Sequence, residues 1–170
     1  LRCAALVRGL HPACPMCAQP HLPWMDRPVR TGLCDACAQD PPPWRWGGCA
    51  FEMSGPPRAA VHRAKSPGGA WISHALGALL AHCLPPGGPV ILVPIPLHPS
   101  VHASRGFNQA TELARALAGN IDATVALALE RPVRGRPQKE LGRALRRENV
   151  AGAFYASTLA QALQGRRVAL

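Results

Sequence analysis

No apolar run in the 170 residues reaches the roughly 18 that a membrane-crossing helix needs; Pro, His or Gly breaks every candidate. A transmembrane helix is therefore not expected. Cys3 to Leu10 is mildly apolar but too short for a signal peptide with a small-residue cleavage site. Low-complexity tracts are missing too, and an apolar fraction of 48% is enough for a core, so disorder is not expected. Acidic residues are scarce, nine against nineteen basic ones, which leaves a formal net charge of +10. Lysine is scarcer still: seventeen of the nineteen basic residues are Arg, the better residue for bidentate contacts to phosphate. Such a balance implies attraction to polyanions: nucleic acid, a nucleotide or pyrophosphate groups. A composition that uses Arg wherever a soluble surface needs charge explains the count equally well. The chain opens on Leu1 rather than Met, so some N-terminal residues are expected to be missing.

Cysteine, by contrast, comes in pairs. Cys14-Pro15-Met16-Cys17 and Cys34-Asp35-Ala36-Cys37 form two C-x2-C knuckles with sixteen residues between them. This spacing matches a structural four-cysteine zinc site, in which each knuckle places two sulfurs and two knuckles complete a tetrahedron. The surrounding segment is rich in Pro and has few large apolar residues beyond Leu22, Trp24 and Leu33, so metal binding would supply its folding energy. Paired disulfides and a redox CxxC are the alternatives; neither knuckle sits between a strand and a helix, which disfavours redox. Cys3, Cys49 and Cys83 stand outside the pairs and favour a reducing cytoplasm. His11 and His21 flank the knuckles and could substitute as ligands, but the preferred reading is ordinary local residues. The stiff Asp40-Pro41-Pro42-Pro43 run then leads to Trp44 and Trp46. With Trp24 and Arg45 these could stack on bases, but capping a small core is the preferred role. Residues 1–46 are assigned to a zinc-binding module and 47–170 to an α/β domain.

The second domain is organised around residues 90–119. Val90 to Pro96 is an apolar strand closed by two prolines, a polar loop with His98, His102 and Arg105 follows, and after Gly106 an amphipathic helix begins near Phe107. Strand, loop, helix is the unit from which open α/β sheets build ligand sites at the carboxyl ends of strands. Before it, Cys49 to Met53 reads as a short strand, Pro56 to Lys65 as a helix, and Trp71 to Leu84 as an amphipathic helix on which Ile72, Ala75, Leu76, Leu79, Leu80 and Cys83 recur at helical spacing. After it come a strand at Ala123 to Leu129, whose alanine-rich run also suits a helix, a basic loop at 130–139, a helix at Leu141 to Asn149, a short strand at Gly152 to Tyr155 and the opening of another at 165–170.

Pro94-Ile95-Pro96-Leu97-His98-Pro99, followed by Arg105-Gly106-Phe107-Asn108-Gln109-Ala110, resembles the ComF family, bacterial competence-associated proteins with a phosphoribosyltransferase-like domain. Gln138, Leu141, Arg147, Asn149, Val150, Gly152 and Phe154 fit the family's later run, and the double-CxxC module followed by an α/β domain is its layout. The resemblance implies a type I phosphoribosyltransferase-like parallel sheet. It implies a phosphate or pyrophosphate loop at Arg105, Gly106, Phe107, Asn108 and Gln109, with further ligand contacts from Lys65, His98, Arg147 and Asn149. Where the family carries Lys-Tyr, this chain has Lys65-Ser66. Gly165-Arg166-Arg167-Val168 fits the strand entry ahead of the family's acidic pair and Thr-Thr-Gly-like loop, which would hold the ribose hydroxyls and the 5′-phosphate. The sequence ends before that motif, so the α/β domain is expected to be incomplete at its C-terminus and not catalytic as written.

Three functions follow from the resemblance. The first is a zinc-containing protein of competence and DNA uptake that binds single-stranded DNA or a phosphoribosyl or nucleotide ligand. The second is a phosphoribosyltransferase, using Mg²⁺ with phosphoribosyl pyrophosphate, whose motif lies beyond Leu170. The third is an adaptor whose zinc module docks a competence helicase.

Overall fold

The computed structural model describes residues 13–19, 32–84, 87–136 and 138–170; for Lys139, Arg143, Ala144 and Arg147 only the backbone is described. Cys3, His11, His21, Leu22 and Trp24 lie outside the described residues. The chain divides into two compact units, one within Leu1–Arg58 and His82–Pro85, the other Ala59–Ala81 with Pro86–Leu170.

In the first unit, α1 (Asp35–Gln39) follows Cys34 directly. The expected strand over Cys49 to Met53 is not formed. The Cys49 thiol donates to the Phe51 carbonyl at 2.8 Å and Ser54 N–H to the Glu52 carbonyl at 2.8 Å. These short-range turns take up groups that a ladder would need, and Glu52 and Met53 face solvent. The unit boundary falls within α2 (Gly55–Arg63).

The second unit is a mixed α/β structure. Its sheet has three parallel strands in the order β2 (Ala123–Val125), β1 (Val90–Leu92) and β5 (Val168–Ala169). Ile91 lies opposite Thr124 on one side and Val168 on the other. β1 is shorter than its apolar run because Pro94 and Pro96 have no N–H for a ladder; pairing ends just past it, with Val93 N–H donating to the Ala169 carbonyl at 2.8 Å. Val90, Leu92 and Val93 are buried, as a strand flanked on both sides should be.

α3 (Ala70–Leu80), continued by a 3₁₀ turn at Ala81–Cys83, packs on α5 (Gln109–Ala118). The seam differs from the apolar face that periodicity predicts. Ser73 and Gly77 are the buried residues of α3, whereas Ile72, Leu76, Leu79 and Leu80 are half-buried. A Cβ on Gly77 would stand 2.4 Å from the Leu113 carbonyl oxygen and 2.8 Å from the Ala116 Cβ. Small residues let the two backbones approach closely and leave the larger ones at the margin.

Beyond the sheet, β3 (Leu129–Glu130) pairs antiparallel with β4 (Tyr155–Ala156). Between them run an irregular stretch, a 3₁₀ turn (Gln138–Glu140) and α6 (Arg143–Val150). A further 3₁₀ segment, Thr158–Leu163, leads back to β5. Among the described residues no helix is long and apolar enough to cross a membrane.

Candidate functional site

The four paired cysteines converge. The sulfurs of Cys14, Cys17, Cys34 and Cys37 all lie within 4.8 Å of one another, and those of Cys17 and Cys34 are 3.6 Å apart. A tetrahedron with Zn–S bonds of about 2.3 Å has edges of about 3.8 Å, so the cluster has the dimensions of a four-sulfur metal site. The first knuckle is a tight turn in which Ala18 N–H donates to the Cys14 carbonyl at 2.8 Å and Cys14 N–H to the Gln19 carbonyl at 2.9 Å. The second is a helix start, with Cys34 extended before α1 and Cys37 buried inside its first turn.

Residues further along the chain hold the first knuckle in place. The Trp44 indole N–H donates to the Met16 carbonyl at 2.6 Å, and Gly47 N–H donates to the Pro15 carbonyl at 2.9 Å. Trp44 is 52% exposed, so it does not cap a core; its polar edge ties down the turn that presents Cys14 and Cys17. The aromatic pair after a proline run was the available signal.

Four thiols so close cannot all ionise unaided. Burial pushes the Cys37 thiol up, and hydrogen bonds with the other three thiols add to it, bringing it to about 12. Burial also raises Cys17. Burial presses on Cys14 as well, but hydrogen bonds to the backbone of Cys34, Cys17 and Met16 outweigh it and lower this thiol to about 6. A thiolate at Cys14 beside protonated thiols at Cys17 and Cys37 is what burial and hydrogen bonding favour without a cation; a bound divalent ion favours the thiolate instead.

The Arg105–Gln109 run lies past the carboxyl end of β1, where Ile95 belongs to the strand's exit. What reads as a polar loop at 97–105 is largely a helix, α4 (Pro99–Arg105). His98 caps it: Nδ1 accepts from Ser100 N–H at 3.2 Å and lies 2.8 Å from the Ser100 hydroxyl. Pro99 sits at the first helical position, where its fixed φ is favourable. Gly106, at φ 82°, ends α4 in the left-handed conformation. Asn108 then caps α5, its Oδ1 accepting from Ala110 N–H at 3.0 Å while its Nδ2 donates to the Ile95 carbonyl at 3.0 Å. Arg105 donates to the Gln109 side chain, and Phe107 is half-buried. The motif thus knits the end of β1 to the start of α5.

The remaining candidates are dispersed in role. Lys65 is exposed in the turn after α2. Arg147 lies on α6. Asn149, on the same helix, spends both polar atoms on the backbone of Arg136, accepting from its N–H and donating to its carbonyl, each at 2.9 Å. No protein-family model, curated protein or solved structure matches the chain.

Proposed function

We propose that the chain is a ComF-like protein of DNA uptake, with a structural zinc on Cys14, Cys17, Cys34 and Cys37 and a phosphoribosyltransferase-like domain. That domain binds DNA or a phosphoribosyl or nucleotide ligand. One observation carries the ligand reading: a left-handed glycine and a capped helix start follow the carboxyl end of the central strand of a parallel sheet, where open α/β folds place their ligands. Gly106 leaves the backbone open to a phosphate and Arg105 supplies charge beside it. Zinc is favoured over other ions by an all-thiolate, four-coordinate donor set.

A phosphoribosyltransferase is the second reading, supported by β5, which lies parallel beside β1. A motif following that strand would reach the same sheet edge as Arg105, and Mg²⁺ would accompany phosphoribosyl pyrophosphate there. The test is calorimetric titration of the zinc-loaded chain with Mg²⁺-phosphoribosyl pyrophosphate, and separately with a single-stranded oligonucleotide. Binding of either, with Arg105→Ala weakening the phosphoribosyl ligand, is expected. A chain that binds neither overturns the reading.

A further inference from the structure

We infer that the excursion between β3 and β4 (residues 131–154) carries, on its loop at 131–136, a preformed docking surface for single-stranded nucleic acid, with Arg134 and Arg136 meeting phosphates and Tyr155 meeting a base. The inference rests on the nucleic-acid branch of the proposed function and assigns it a surface separate from the Arg105 loop.

Charge is the first argument. These 24 residues hold seven of the nineteen basic side chains and two of the nine acidic ones, a net +5 out of the chain's +10. Arg134 and Arg136 are exposed, and no carboxylate among the described residues pairs with either. Unpaired guanidinium groups suit bidentate phosphate contacts and keep their full charge for a partner.

Preorganisation is the second. Residues 131–136 have no regular secondary structure, yet the Asn149 amide grips both backbone groups of Arg136. Gly135 makes room for that grip: a Cβ there would stand 2.8 Å from the Asn149 Oδ1 and 3.0 Å from its carbonyl oxygen. At the root of the loop Arg131 lies over the Phe154 ring, 5.2 Å from its centroid. A loop held at both ends presents its arginines without first being ordered by the ligand, which lowers the cost of binding.

The third argument selects the partner. Tyr155, the chain's single tyrosine, is 53% exposed on β4, where the excursion closes. A basic segment that ends at an exposed aromatic residue is the pairing that single strands use, because their bases are free to stack on a ring, whereas the bases of a duplex are already stacked on one another.

The test is fluorescence anisotropy of a labelled oligo-dT with the full zinc-loaded chain across a salt series, with circular dichroism to show that each variant is folded. For wild type, log K should fall linearly with log salt. Arg134→Ala/Arg136→Ala should flatten the slope by about 1.4, since each single-strand phosphate contact contributes about 0.7. Tyr155→Ala should weaken binding roughly five- to hundredfold and leave the slope unchanged. If wild type binds but the double variant keeps its affinity and slope, the surface is wrong and the nucleic-acid reading survives. If wild type binds no oligonucleotide, the nucleic-acid branch and this inference fall together. Tighter binding to duplex, or binding to phosphatidylserine vesicles but not to oligo-dT, also overturns it.

Discussion

Gly77→Ala isolates the close packing of α3 on α5, because it sets helix propensity against sterics. Alanine is favoured over glycine in a helix interior by about 1 kcal/mol. Here the added Cβ meets the Leu113 carbonyl oxygen at 2.4 Å, the Ala116 Cβ at 2.8 Å and the Leu113 Cα at 2.9 Å. Two of those three atoms are backbone of α5, so no side-chain rotation relieves them. Overpacking of this kind costs about 1–3 kcal/mol, and with so little room to relax the upper end applies. The net effect is a loss of about 1–2 kcal/mol. Urea unfolding followed by circular dichroism should show a lower midpoint at unchanged slope. Gly119→Ala is the control: its Cβ would make contacts of 3.5 and 3.8 Å, and its φ of −70° suits alanine. It should be neutral or gain up to about 1 kcal/mol. A Gly77→Ala midpoint equal to or above wild type would refute the packing account.

Three further outcomes are expected. Asn108→Ala removes both the cap on α5 and the tie to Ile95, so a thermal melt should show a loss of about 1–2 kcal/mol. Trp44→Phe removes the hydrogen bond to Met16 while keeping the ring, and chelator competition should show roughly tenfold weaker metal binding. Metal affinity should fall as pH falls: Cys17 and Cys37 are held protonated in the metal-free cluster, so binding must release protons, and acid opposes it. A competition titration that shows pH-independent affinity between pH 6 and 8 would contradict a thiolate-bound metal.

The parts legible in the sequence were those with short-range signatures. Each CxxC is a local turn, so the cysteine spacing foretold a cluster that runs from Cys14 to Cys37. The apolar run at 90–96 and the helix after Asn108 are likewise local patterns. Trp44 was not legible in its real role, since a side chain reaching a carbonyl 28 residues away leaves no periodicity. α4 was hidden because its polar composition reads as loop, although His98-Pro99-x was its start signal. Periodicity pointed to the large residues of α3, but close helix contact selects the small ones, Ser73 and Gly77. The grip of Asn149 on Arg136 crosses 13 residues and an irregular loop, and became visible only in the fold.

The most direct test of the central claim, that four cysteines hold one zinc, is native mass spectrometry of the chain purified under reducing conditions. The account predicts one zinc per chain, lost in Cys17→Ser and Cys34→Ser. A metal-free chain, or zinc retained after either substitution, would contradict it.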